Sequence, residues 1–158
     1  MADLPAENVR DYPRPPAIEP VAQVITLCVD GVQVAETSAA WRVCETFHPP
    51  VYYLPPAALA PGLLRPVPGT SVCEWKGRAI WFDVIGRDGP IARGAWSYPE
   101  PVPAYGAIAG HLAFYLSARV TGRVGGVAAT PQPGRFYGGW VTPNLTGPVK
   151  GAPGTLHW

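Results

Sequence analysis

Apolar and polar positions alternate along much of the chain, which is the pattern of half-buried β-strands. The clearest case is the segment 22–37, where two runs rich in Val, Ile and Thr flank Asp30-Gly31. This dipeptide is favoured in two-residue hairpin turns, because glycine readily adopts a positive φ. The pattern therefore predicts an antiparallel hairpin in this segment.

The same alternation, interrupted by turn residues, predicts a series of further short elements. We expect strands at 41–46, 51–54, 78–86, 90–97 and 110–116, short helical turns within 56–68 and at 103–108, and a last hairpin at 119–127. No ten-residue segment has a convincing helical period. The sequence therefore predicts a mainly β fold of short antiparallel strands, either a small barrel or a tent-like pair of sheets.

Proline and glycine divide the chain into three parts. Residues 1–20 contain five prolines and are expected to form an extended arm. Residues 21–128 form the predicted β domain, and residues 129–158 form a tail rich in Pro, Gly and aromatic residues. The tail contains Phe136, Tyr137, Trp140 and Trp158. Because these side chains avoid water, we expect the tail to pack on the domain or on a second subunit, which would make the protein a homodimer.

Composition excludes several classes of protein. The 158 residues suit one domain, and the net charge is +1, from 12 basic and 11 acidic residues with no basic run. The sequence therefore does not predict nucleic-acid binding. It has no apolar run of about 18 residues and no apolar core segment near its N-terminus, so we expect no membrane segment and a cytoplasmic location. The three cysteines form no CxxC pair, and we expect no metal and no cofactor.

The segment Glu45-Thr46-Phe47-His48-Pro49-Pro50-Val51-Tyr52-Tyr53 is the first candidate site. Two prolines stiffen the chain beside His48, and histidine is the side chain most easily adjusted for proton transfer near neutral pH. In a strand, Glu45 and His48 would lie on opposite faces, so the chain is expected to bend between them. A buried structural corner is the alternative interpretation.

The segment Cys73-Glu74-Trp75-Lys76-Gly77 is the second candidate site. A cation near a cysteine favours the reactive thiolate, and a lysine near apolar and aromatic walls could lose its charge and act as a base, or serve as a ligand contact or charge partner. A turn or bulge would be needed to bring Cys73 and Lys76 together. Cys73 as an ordinary core residue is the alternative. Trp96, Tyr98 and Tyr115 are further aromatic residues that could line a pocket.

Four segments in this order resemble the bacterial family called domain of unknown function 427. They are ETFHPPVYYLPP (45–56), SVCEWKG (71–77), AWSYPEPVP (95–103) and IAGHLAFY (108–115). The resemblance covers roughly residues 8–128, and the flanking segments resemble an actinobacterial-looking subgroup. It implies a β-rich fold and no assigned activity. The family's Cys-Pro-Tyr-Lys-Gly motif reads Cys73-Glu74-Trp75-Lys76-Gly77 in this chain.

Three functions follow from these candidates. The first is a small-molecule-binding domain, whose ligand contacts would be His48, Tyr52, Tyr53, Lys76, Trp96, Tyr98 and Tyr115, with Glu45 as a further polar anchor. The second is an enzyme with His48 or Glu45 as base and Lys76 stabilising negative charge, and with Cys73 as a further catalytic candidate. The third is a protein–protein interaction module that uses the arm and the tail.

Overall fold

The computed structural model describes residues 4–134, 136–151 and 154–155. Strands dominate this part of the chain, so the predicted mainly β class is confirmed. Helical structure in it is limited to three short 3₁₀ turns: η1 (Val9–Asp11), η2 (Pro56–Ala58) and η3 (Pro103–Ile108). None of the five sheets formed by the described residues closes into a barrel.

In chain order the strands are β1 (Glu7–Asn8), β2 (Ala17–Pro20), β3 (Ile25–Val29), β4 (Val32–Thr37), β5 (Trp41–Cys44), β6 (Val51–Tyr53), β7 (Leu64–Cys73), β8 (Gly77–Gly86), β9 (Gly89–Ser97), β10 (Leu112–Phe114), β11 (Val120–Val124), β12 (Val127–Ala128), β13 (Thr130–Pro131), β14 (Trp140–Val141) and β15 (Leu145–Thr146).

The hairpin predicted at Asp30-Gly31 is confirmed as β3 paired antiparallel with β4. Both turn residues have a positive φ, 50° for Asp30 and 77° for Gly31, as a tight two-residue turn between twisted strands requires. The last predicted hairpin is confirmed as β11 and β12, and β11 pairs with β3. Together these strands form a four-stranded sheet in the order β12-β11-β3-β4.

A second four-stranded sheet has the order β10-β9-β8-β7. Its hairpin β8–β9 was predicted, whereas β7 was not, because Pro66 and Pro68 interrupt that segment. A proline cannot donate to a β-ladder, but the edge of a sheet tolerates it because one side of an edge strand has no partner strand. The edge position of β7 therefore explains how a ten-residue strand forms there.

The second sheet lies between two hydrophobic clusters, because side chains on a strand alternate between its faces. Ala95 and Phe114 pack with residues of the β3–β4 hairpin on one face. Trp96 and Ala113 pack on the other face with Tyr53 of β6. The three-stranded sheet β2-β5-β6 covers this second face, and mutual backbone hydrogen bonds between Leu54 and Leu112 connect it to β10.

The N-terminal arm and the C-terminal tail meet on this framework. β1 of the arm pairs in parallel with β15 of the tail, and β13 pairs with β14. Trp140 of β14 is only 1% exposed and belongs to the first cluster. Trp158 lies outside the described residues.

Candidate functional site

His48 lies in the bend that follows β5. The His48 amide donates to the Glu45 carbonyl at 2.9 Å, which closes a turn and confirms the bend expected between these residues. Phe47, inside the turn, has a φ of +67°. A non-glycine residue in this region carries backbone strain, and such strain is concentrated at functional sites.

The His48 ring is held in one tautomer by Gln132 of the tail. Gln132 Oε1 accepts a hydrogen bond from the Gly139 amide at 3.0 Å, so its amide nitrogen must face the other way. That nitrogen lies 3.1 Å from His48 Nδ1 and 2.8 Å from the Lys150 carbonyl, which accepts its second proton. His48 Nδ1 is therefore an acceptor, and the ring proton is on Nε2.

Burial keeps the imidazole neutral. His48 is 8% exposed, and desolvation lowers its pKa to about 4. The negative charge of Glu45, whose Oε2 lies 3.9 Å from His48 Nε2, raises the pKa of His48 and so opposes the effect of burial. The charges of Lys150, Arg14 and Lys76 lower the pKa further. At neutral pH, His48 is consequently an uncharged donor through Nε2.

Glu45 is shared between His48 and Arg14. Arg14 Nε lies 3.2 Å from Glu45 Oε2, and Arg14 Nη2 donates to the Thr46 carbonyl at 3.0 Å. A carboxylate and an imidazole are thus bordered by a guanidinium from the N-terminal arm. The 3.9 Å between His48 Nε2 and Glu45 Oε2 is too long for a hydrogen bond.

The second candidate segment forms the turn between β7 and β8. Burial and the neighbouring Cys73 thiol raise the pKa of Tyr98, and Lys76 Nζ lies 5.6 Å from the centre of the Tyr98 ring. The Lys76 carbonyl accepts from the Val102 amide at 2.9 Å, which ties the turn to the segment before η3. The charge of Lys76 is near enough to lower the pKa of His48, so the two candidate segments, which are distant in sequence, lie in the same part of the fold.

The predicted aromatic contacts divide into three environments. Tyr53, Trp96 and Tyr98 are buried in the second cluster, with the ring centres of Tyr53 and Tyr98 6.3 Å apart. Tyr115 lies at the partly buried edge of the same cluster, where its ring centre is 4.7 Å from that of Trp96 and its ring stacks on Trp81 with an angle of 7°. Its hydroxyl donates to the Phe136 carbonyl.

Tyr52 lies apart from His48, at a polar cavity that the sequence does not indicate. The cavity has a volume of about 250 Å³, and its lining includes Tyr52, Arg42, Glu7 and Glu19. Arg42 donates to both carboxylates, whose two negative charges exceed its single positive charge. Burial raises the pKa of Tyr52 to about 12, so this hydroxyl stays protonated.

Several residues around His48 come from the tail and were missed by sequence reasoning. Gln132 sets the tautomer, and the Tyr137 ring packs edge-on against His48 with ring centres 4.8 Å apart. Gly138 and Gly139 permit this packing, since a Cβ on Gly138 would collide with Trp96 and one on Gly139 would lie 2.6 Å from Pro49. A glycine pair between aromatic residues was the available signal.

No group of three or more His, Cys, Asp or Glu side chains in residues 4–134, 136–151 and 154–155 is placed to hold a metal ion. No helix among the same residues is long and apolar enough to cross a membrane.

The sequence model of the family described as Domain of unknown function (DUF427) matches residues 17–126. This is more than half of the chain. The chain belongs to this family. The DUF427 match includes Glu45, His48 and Lys76, whereas Gln132 and Tyr137, which pack on His48, follow it in the sequence. No curated protein matches the chain.

Proposed function

We propose that this protein is a small-molecule-binding β domain whose ligand binds between the His48 bend and the Lys76 turn. The observation that carries the proposal is the state of His48. It is neutral, its tautomer is set by Gln132, and its Nε2–H has no acceptor within hydrogen-bond distance among the described residues. A ligand oxygen would supply that acceptor, as convergent polar groups do in binding sites.

The charges around His48 favour an anionic or carbonyl-bearing ligand. Arg14, Lys76 and Lys150 contribute three positive charges near the ring, against the single negative charge of Glu45. Lys76 also lies over the Tyr98 ring, which positions its ammonium group. Tyr53, Trp96 and Tyr98 are buried, so they pack beneath the site. The proposal does not include direct contact between these three side chains and the ligand.

The proposal is tested by NMR titration with inorganic phosphate, acetate and acetamide as probes. Each probe should shift the His48 ring resonances. His48→Ala should weaken binding of all three probes, followed in this variant at the Gln132 side-chain amide resonances, because no side-chain donor remains at this position. Lys76→Gln should weaken phosphate and acetate at least tenfold, about 1.4 kcal/mol. Its effect on neutral acetamide should be much smaller.

Arg78→Gln is the matched control, because it removes a positive charge from an exposed position two residues after Lys76. This variant should bind all three probes as the wild-type protein does. If no probe shifts the His48 resonances, or if Arg78→Gln weakens phosphate as much as Lys76→Gln does, the proposed site is wrong.

Catalysis at the same residues is a second candidate function. Because His48 Nδ1 accepts from Gln132 and Nε2 carries the proton, His48 is placed to donate, which leaves Glu45 as the base. A carboxylate base beside an N–H donor and a lysine suits proton abstraction next to a carbonyl group. Pyruvate in D₂O should then exchange its methyl protons faster with the protein than in buffer, and Glu45→Gln should abolish the difference. Exchange at the buffer rate would exclude this activity.

Self-association through the tail is a separate proposal. Phe136 is 77% exposed, although it lies beside residues that pack on His48. In a homodimer, Phe136→Ser should shift sedimentation from the mass of two chains to that of one without altering the circular dichroism spectrum. A wild-type protein that sediments as a single chain at high concentration would rule the dimer out.

A further inference from the structure

An open apolar cleft lies on the face of the second sheet that is opposite Trp96. Its volume is about 460 Å³, within the range of about 300–1,000 Å³ that is typical of sites for small ligands. The cleft is bordered by the segment around η2 on one side and by strands β8 to β10 on the other. Its apolar side chains include Leu59, Leu63, Leu64, Ile80, Phe82 and Leu112. None of the described residues that line it is charged.

The segment that borders the cleft is held in place before any ligand binds. Pro56 and Pro61 restrict its backbone, and the Leu59 amide closes η2 by donating to the Pro56 carbonyl. The Ala60 amide donates to Val34 of the neighbouring sheet at 2.8 Å. A preformed wall of this kind lowers the entropic cost of binding.

Ser97 is the polar exception in this apolar lining. It lies between Ile80 and Leu112 on adjacent strands, and all three side chains line the cleft. Ser97 is 3% exposed, yet its hydroxyl forms no hydrogen bond with any described residue. Every fully buried side-chain oxygen or nitrogen among the described residues has a hydrogen-bond partner. Because the Ser97 hydroxyl has none, it must be partly exposed to solvent. Since Ser97 lines the cleft, its hydroxyl is exposed to the space inside the cleft.

We propose that this cleft is a second ligand site, for an uncharged, mainly apolar small molecule with one hydrogen-bonding group that pairs with Ser97. Apolar walls favour the body of such a ligand, since its burial removes apolar surface from water. The Ser97 hydroxyl is exposed to the cleft and bonds no described residue, so it can donate to or accept from a ligand hydroxyl or carbonyl group. The site shares no described lining residue with the His48 region, so it stands independently of the function proposed there.

The test uses benzyl alcohol and ethylbenzene, which have the same number of heavy atoms and differ in a hydroxyl and a methyl group. NMR titration should show both probes shifting the methyl resonances of Leu63 and Leu112. Ser97→Ala should weaken benzyl alcohol at least threefold and leave ethylbenzene unchanged, because only the alcohol pairs with Ser97. Thermal unfolding of the variant verifies that it is folded.

A pair of tryptophan substitutions provides the matched control. Ala60→Trp should block both probes by filling the cleft, whereas Ala57→Trp should not, because Ala57 is exposed and is not part of the lining. The proposal is overturned if neither probe shifts the lining residues, or if Ser97→Ala weakens both probes equally. It is also overturned if the same resonances shift with protein concentration alone, since a second copy of the chain would then occupy the cleft.

Discussion

A buried histidine that accepts a hydrogen bond from an amide is stabilised in its neutral form. At His48 this preference arises from desolvation and from three nearby cations, and Glu45 offsets it only in part. The donor to His48, Gln132, also bonds Gly139 and Lys150, so the geometry of the ring depends on the tail. The chemistry of one residue is consequently linked to packing far away in the sequence.

This linkage predicts a pH-dependent stability. The unfolded imidazole takes up a proton near pH 6.5, whereas folded His48 does so only near pH 4. Stability should therefore be full above pH 6.5 and fall by about 3 kcal/mol as the pH drops towards 4. Urea unfolding between pH 7 and pH 4.5 measures the loss.

The His48→Gln variant is the reference for this measurement. Its side-chain oxygen can still accept from Gln132, but it does not titrate in this range. Carboxylates of lowered pKa, such as Glu7, also reduce stability in acid, and they remain in the variant. Equal loss of stability in both proteins between pH 6.5 and 4.5 would show that His48 is not the group responsible.

At the scale of an element, the β3–β4 turn depends on the backbone of Gly31. A Cβ at this position would meet no atom within 4 Å, so a substitution acts through its φ of +77° alone. Gly31→Val should lower the free energy of unfolding by about 1 kcal/mol or more, because a β-branched residue is strained there. Gly31→Asn should cost less, since asparagine tolerates positive φ. Chemical denaturation compares the two, and equal costs would contradict this explanation.

Gly138 and Gly139 differ from Gly31, because a side chain at these two positions is excluded by neighbouring atoms and not by a positive φ. A Cβ on Gly138 would overlap the Trp96 indole, so Gly138→Ala should move the tail or the ring and cost about 1–3 kcal/mol. Gly106→Ala is the control, since a Cβ there meets nothing within 4 Å. Urea unfolding and tryptophan fluorescence report the change. A Gly138→Ala protein as stable as the Gly106→Ala protein would show that the tail does not press on Trp96.

At the scale of the whole molecule, the tail completes the core. Trp140 packs against Tyr52, with ring centres 5.1 Å apart, and its Nε1 donates to the Phe114 carbonyl at 3.2 Å. Gly122 leaves room for the indole, because a Cβ there would lie 2.6 Å from the ring. A residue of β14 thus joins three strands that are distant along the chain.

Substitution of Trp140 should be among the most destabilising single changes in this protein. Trp140→Ala should lower the free energy of unfolding by about 3–5 kcal/mol, because it leaves a large cavity and an unpaired carbonyl. Phe136→Ala, four residues earlier but exposed, should change it by less than about 0.5 kcal/mol at protein concentrations where the chain sediments as a single copy. Similar denaturation midpoints for the two variants would mean that the tail contributes little to the core.

Local patterns predicted most of the strands, because a hairpin such as β3–β4 depends on residues adjacent in the chain. The alternation of apolar residues and the turn at Asp30-Gly31 were sufficient there. The strand β7 was missed for the opposite reason. Its prolines argue against a strand, and only its position at the edge of a sheet makes them acceptable.

The sequence by itself determined the mainly β class, the principal turns and the two candidate segments around His48 and Lys76. Only the tertiary structure decided which groups surround them. Gln132 lies 84 positions from His48, and Tyr98 lies 22 positions from Lys76. No periodicity along the chain specifies such partners, because they depend on how whole sheets and the tail pack. Tautomer, burial and pKa follow from that packing, so the chemistry of His48 is a property of the folded molecule.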